Sequence, residues 1–411
     1  MTHPFSRLPA LTLALIAASL VTARPAYAQE PAPETAPAAP AAAAAPAAST
    51  TSPEVKISGW IETYYLSNLN RPTNGINSLR AFDTHDGFNL QNAAVDVDIK
   101  KGADSLKITL QSGNLGSHTY DPLEPPSTGS VYTSATGANA LRYVQQAYAA
   151  HAFDNGLTVT AGLFATPVGF EGYNVKDNWN WSRANTFYFL TYYHVGVKAA
   201  YALTPKLTAT GYVMNGWNNG FETNATPSGA LQLGYDDGAG TTASLVYLVG
   251  NERKRAENTD FGKPIRHLVD AWVSVPVTDS LSLGLHGDTG MESNKKGDYS
   301  WIAAAAYARA KLGSMVYLAA RGDYFTESAG DVANPMFFLS ANGTKAVGSG
   351  TLTLDMRPTE GTSFRLEARH DVADGDVFFK KHVPAPTGAS PSEGMNSSSQ
   401  TTILLGMNTV F

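Results

Sequence analysis

Cysteine is absent from the 411-residue chain. Its absence excludes disulfides, thiolate metal sites and cysteine nucleophiles. An exported protein without it holds its fold with no covalent staple. Basic charge is not in excess either: 29 Lys and Arg against 35 Asp and Glu give a formal net charge of -6. That balance provides no footprint for nucleic acid, which is excluded as a partner. After residue 28 no apolar run approaches the ~20 residues of a membrane helix. Hydrophobic residues make up only 43% of the chain. Motifs of catalysis are missing too. There is no G-x-S-x-G elbow, no H-E-x-x-H and no Gly-rich phosphate loop followed by Lys. A lipase would need a Ser and a His meeting in space, and no pattern pairs them. No catalytic residue is assigned. Asp371, Asp374 and Asp376 form a D-x-x-D-G-D loop, but the downstream bidentate Glu of a full calcium loop is lacking. We read that loop, and Asp83, His85 and Asp86, as solvated acidic turns. No metal or cofactor is assigned.

What the chain does have is aromatic residues and glycine: Tyr 19, Phe 17, Trp 6 and Gly 37. That supply suits a sheet with interfacial rings and sharp turns. At the N-terminus, Arg7 precedes the apolar stretch Leu8–Val21, and Ala26-Tyr27-Ala28 is a small-x-small cleavage site. Residues 1–28 therefore read as a secretory signal peptide, and the apolar core is too short to span with confidence. Residues 29–53 are an Ala/Pro-rich spacer. Its recurring prolines forbid a long helix and its alanines build no core, so it reads as a disordered, extended periplasmic segment.

From residue 54 to 411 the texture is period-2 alternation. Phe88–Lys100 places Ala93, Val95, Val97 and Ile99 on one face and Asn92, Asp96, Asp98 and Lys100 on the other. The habit recurs along the chain and predicts about 16 strands. Every second connection is short. Those between are longer and polar, among them Thr166–Tyr193 and Gly290–Asp298. Such sorting predicts an all-β, transmembrane, up-and-down antiparallel β-barrel with tight turns at one end and long loops at the other. The last stretch, Thr401–Phe411, sets Ile403, Leu405, Met407, Thr409 and Phe411 on an apolar face. Its other face carries Thr402, Leu404, Gly406, Asn408 and Val410. An apolar strand ending on Phe is expected to close such a barrel, its ring in the interfacial girdle. It resembles the C-terminal strand of bacterial outer-membrane barrels, which implies that the barrel-assembly machinery reads it.

The polar face is dense in charge: Arg321 and Asp323, then Asp355 and Arg357, then Arg365, Glu367, Arg369 and Asp371. Unpaired charges of this density are too costly for a dry interior. They predict a water-filled lumen, with Arg321, Asp323, Arg365, Glu367 and Arg369 as pore-lining residues.

The segment Leu163–Asn219 contains LFATPVGFEGYNVKDNWNWSRANTFYF and then YYHVGVKAAYALTPKLTATGYVMNGWNN. The TPVGFE turn, the DNWN-x-SR stretch, the YYHVGV strand entry and the NGWNN loop resemble the OmpL-like family of β-barrel porins. The likeness extends weakly over Ile57–Phe411. It implies an outer-membrane channel and supplies no functional residues to carry over.

The expectation is then a porin of the outer membrane, passing small hydrophilic solutes or ions. The alternative is a narrow or non-conducting barrel that displays its long loops as an adhesin or receptor. About 16 strands leave room for water, whereas about 8 would be filled by side chains, which favours the channel. Outer-membrane lipid, the barrel-assembly machinery, small hydrophilic solutes and, in a homo-oligomer, further copies are the expected partners. Thr166–Tyr193 is the third long connection. By analogy with the third external loop of general porins it is expected to fold inward, with a short helix opened by Asp177 and with Trp179, Trp181, Phe187 and Phe189 against the wall. The competing reading leaves it outside, with its aromatics at the lipid interface. Lys176, Asp177 and Arg183 would form the charged constriction.

Overall fold

Alternation of side chains along a strand gives a sheet two chemically different faces, and closing the sheet turns one of them inward. The sequence follows that rule. A computed structural model of the chain describes residues 52–73, 77–80, 83, 87–116, 140–331, 336–337, 344–381 and 394–411. The signal peptide and all but the last two residues of the spacer lie outside the described residues. So do His85 and Asp86.

The strands are β1 (Glu54–Asn68), β2 (Gly87–Lys101), β3 (Asp104–Ser112), β4 (Val144–Ala152), β5 (Leu157–Ala165), β6 (Tyr193–Thr204), β7 (Leu207–Met214) and β8 (Ser228–Asp236). They continue as β9 (Thr242–Gly250), β10 (Arg266–Thr278), β11 (Leu281–Asn294), β12 (Gly297–Lys311), β13 (Val316–Ser328), β14 (Ala346–Thr359), β15 (Thr362–Ala373) and β16 (Ser399–Val410). Each pairs antiparallel with its sequence neighbours, and β1 pairs with β16 to close a barrel of sixteen strands. Closure gives each strand a hydrogen-bonded neighbour on both sides, so no strand is left as an open sheet edge. A lipid-facing backbone requires that.

At the seam Trp60 lies opposite Val410, and the Phe411 N–H donates to the Gly59 carbonyl at 3.0 Å. Ile403, Leu405, Met407 and Phe411 point outward and are exposed, while Thr402, Leu404, Gln400 and Asn408 are buried on the lumen side. The exposed apolar belt repeats on the other strands, as in Leu231, Leu285, Ile302 and Leu366. Exposed rings mark its two rims. Phe153, Tyr201, Tyr235, Phe364 and Phe411 sit toward the short turns, and Tyr65, Phe88, Tyr143, Tyr247 and Tyr324 toward the long loops. These are the two aromatic girdles of an outer-membrane barrel.

One connection differs from the expected alternation of loop lengths. Gly290–Asp298 is no loop: pairing runs up to Asn294 opposite Gly297, leaving Lys295 and Lys296 as a two-residue hairpin. Gly297 takes φ +133, and the Asn294 carboxamide oxygen accepts the Lys296 N–H at 2.8 Å. The residues are polar because the hairpin stands clear of the apolar belt, and polarity there was mistaken for loop.

Candidate functional site

The polar faces of β12–β16 and β1 meet the connection between β5 and β6, residues 166–192, inside the barrel. Its base is pinched shut. The Thr166 N–H donates to the Tyr192 carbonyl at 3.2 Å, and the Thr166 and Thr191 hydroxyls lie 2.5 Å apart. Beneath them His194 is fully buried, its Nδ1 3.0 Å from the Gly216 carbonyl. Pro167 and Gly169 (φ +96) then turn the chain away from β5. The Gly169 N–H donates to the Asp270 carboxylate of β10 at 3.1 Å.

Beyond that point the loop lies on charged wall residues. Glu171 accepts from Arg321 at 2.7 Å and from the Ala184 N–H at 2.6 Å. Arg321 also donates to the Ser182 carbonyl and holds Asp323 at 3.2 Å. Glu367 accepts the Trp181 and Ser182 N–H groups at 2.6 and 3.0 Å and the Thr353 hydroxyl at 2.8 Å. Arg365 donates to the Val175 and Asn180 carbonyls at 3.1 and 3.3 Å. Arg369 donates to the Arg183 carbonyl and pairs with Asp371 at 2.7 Å. Asp323 accepts the Asn185 N–H at 2.9 Å. From the other side Glu62 of β1 accepts the Lys176 N–H at 2.9 Å. A loop without a ladder of its own thus has its backbone groups met by side chains of the wall.

Aromatic contacts complete the fit. Phe170 packs on Tyr307 with ring centroids 4.4 Å apart, and its edge meets Trp179 and Trp272. Phe189 stacks on Phe325 at 3.8 Å. Trp181 is fully buried against Tyr64 and lies flat on Gly406 of β16. A Cβ at that glycine would come within 2.4 Å of the indole. The glycine in the middle of the last strand's polar face is the seat of this ring. Tyr192 donates its hydroxyl to the Tyr188 carbonyl at 3.0 Å, and burial pushes its phenol well above the usual range.

The five wall residues singled out in the sequence all face inward and are brought together, on β13 and β15. They are covered by the loop rather than bare: none is more than 7% exposed. Lys176 and Asp177 pair at 2.7 Å and keep 14% and 11% of their side chains exposed. Arg183 has no exposure at all, because its guanidinium donates to the Trp181 and Tyr173 carbonyls. The expected helix does not open at Asp177. Val175–Asp177 is one 3-10 turn, Asn178 is extended, and the only helical turn that follows is Asn185–Tyr188. The Asn178 side chain closes the preceding bend instead, bonded both ways to Gly172 at 2.7 and 2.8 Å. Glu171, Glu62 and Asn180 were not anticipated. A lone Glu in the apolar run VGFEG was the available signal for the first. The three aspartates of the D-x-x-D-G-D loop do not converge: Asp371 serves Arg369, and Asp374 accepts the Lys345 and Ala346 N–H groups.

Residues 54–411 match the family described as "Putative beta-barrel porin-2, OmpL-like". The chain belongs to that family. It is a porin of the outer membrane. No curated protein matches the sequence. Solved structures of similar fold include the outer membrane channel DcaP of Acinetobacter baumannii, at 11% identity and TM-score 0.55, covering 90% of this chain and 100% of that one. The anion-selective porin from Comamonas acidovorans is similar at 12% identity and TM-score 0.54, covering 88% and 100%. In-vitro folded OmpT of Vibrio cholerae, in its trimer form, is similar at 10% identity and TM-score 0.55, covering 87% and 99%. At these identities the likeness is one of fold.

Proposed function

We propose that this porin is a narrow, non-enzymatic channel for small hydrophilic solutes and ions, constricted by residues 166–192. The observation that carries the reading is the set of bonds from Arg321, Arg365, Glu367 and Arg369 to the loop backbone. They hold the loop across a lumen that sixteen strands would otherwise leave open. In this reading the five wall residues first anchor the constriction. Their field, together with the Lys176–Asp177 pair at the loop's less buried face, then acts on ions passing beside it. Arg183 positions the loop from within. The alternative, a closed display barrel, is favoured by the apolar cluster of Val168, Phe189 and Leu190 with Met214, Leu248 and Phe325 inside the lumen. Assembly into an oligomer, contact with lipid and insertion by the barrel-assembly machinery belong to the same proposal.

The test is single-channel recording in a planar bilayer in a salt gradient. A stable conductance well below that of an unobstructed sixteen-strand barrel is expected, and its complete absence would favour the display barrel. Replacing Arg321, Arg365 and Arg369 with Gln should move the reversal potential toward cation selectivity. An unchanged potential in a folded variant removes them from the conducting path.

A further inference from the structure

The lumen wall beside the anchoring charges, on β10 and β11, carries a second polar group that the constriction leaves unexplained. Asp270 on β10 and Asp288 on β11 are direct cross-strand partners. Both point inward and are 0% and 5% exposed. Like charges set opposite each other destabilise a sheet, and more so away from water. His286, also on β11, lies beside them, 5% exposed, with Nε2 2.6 Å from the Asp270 carboxylate. One ligand atom from each of the three lies within 4.8 Å of the others.

The hydrogen bonds of the group are incomplete. Asp270 accepts from the Gly169 N–H at 3.1 Å as well as from His286, and Asp288 accepts from the Trp301 indole at 2.8 Å. The second Asp288 oxygen and the Nδ1 of His286 are buried and have no partner. A buried carboxylate oxygen and a buried imidazole nitrogen left unpaired each cost free energy. Groups of that kind call for an explanation, and a missing cation supplies one.

We propose that Asp270, His286 and Asp288 form a binding site for a divalent transition-metal cation such as Zn²⁺. One imidazole nitrogen and two carboxylate oxygens are a donor set that suits these ions. Two negative charges on facing strands are balanced by the 2+ ion. Metal–ligand bonds of about 2.1 Å put tetrahedral ligands about 3.4 Å apart, so modest side-chain rotation closes the observed spread. Water from the lumen completes the coordination. Asp270 also holds the Gly169 N–H, so the ion sits at the root of the loop.

The probe is Zn²⁺, and Co²⁺ for spectroscopy, added to the chelator-treated, folded full-length barrel in detergent. One Zn²⁺ retained per barrel after desalting is expected, with a Co²⁺ visible spectrum showing imidazole and carboxylate coordination. His286→Gln and Asp288→Asn should each weaken binding at least ~10-fold. His151→Gln, at the exposed His151–Asp104 pair, should leave it unchanged. Folding of each variant is checked by heat-modifiable migration. No stoichiometric Zn²⁺ on the native barrel would overturn the proposal. So would retention of full affinity in a folded His286→Gln or Asp288→Asn variant. If either variant fails to fold, the Co²⁺ spectrum of the native barrel decides: a spectrum of aqueous Co²⁺ alone contradicts the site.

Discussion

Excision of Gly172–Ala184 is expected to raise single-channel conductance at least about two-fold while the barrel still folds. The ends to be rejoined are close, because the Glu171 carboxylate already bonds the Ala184 N–H at 2.6 Å. The wall does not need the loop for its own ladder, which is continuous from β1 round to β16. Arg321, Arg365, Glu367 and Arg369 would lose loop partners but gain lumen water, so their charges are not stranded in an apolar interior. Planar-bilayer recording of the purified variant, checked for heat-modifiable migration, reads the result. Unchanged conductance in a folded barrel would mean that the loop does not narrow the path.

The second large effect is expected at Arg321. Its guanidinium joins Glu171 of the loop, Asp323 and Thr351 of the wall and the Ser182 carbonyl in one buried network. Arg321→Ala leaves two carboxylates without their cation, which costs about 3–5 kcal/mol for a buried pair. The loop is the weaker part, because its hold rests on such contacts and the wall's rests on the ladder. Arg321→Ala should therefore free the loop before it opens the barrel. Protease cleavage within 171–185 and a noisy, enlarged conductance are expected, with little change in the temperature at which the barrel itself unfolds. Arg321→Lys should rescue only in part, since an ammonium cannot reproduce the planar fork. Cleavage no faster than in the native protein would remove Arg321 as the anchor.

The barrel was legible in the sequence because a period of 2 is local. Phe88–Lys100, read from alternation alone, falls one residue short of β2 at either end. Some strand ends lie a few residues further on, since strands continue past the apolar belt where alternation of hydrophobicity fades. The hairpin at Lys295–Lys296 is the clearest case. Loop 166–192 was placed by its position in the order of loops and by its aromatics. Its inner conformation was not readable. Asp177 looked like a helix cap, yet Asn178 is committed to Gly172 and Glu62 takes the Lys176 N–H. Those partners are distant or conformational, and nothing in the local sequence marks them. Arg183 looked like a throat residue because a basic side chain in a loop is normally solvated. Two backbone carbonyls hold it in the interior instead. Asp270 and Asp288 become neighbours only once register is fixed, so the cluster with His286 had no sequence signature.

Placement of the loop inside the barrel is the claim on which the constriction rests, and the lack of native cysteine allows it to be tested cleanly. The Asn180 side chain donates to the Thr353 hydroxyl of β14 at 2.7 Å, so the loop touches the inner wall at these two positions. In a double variant, Asn180→Cys with Thr353→Cys, mild oxidation of the folded barrel in membranes should form one intramolecular disulfide, read by mass after proteolysis. No other thiol is present to compete. Near-complete cross-linking is the result predicted for a loop seated on the inner wall. A folded double variant whose two thiols stay fully reactive and unlinked would place the loop outside and contradict the account.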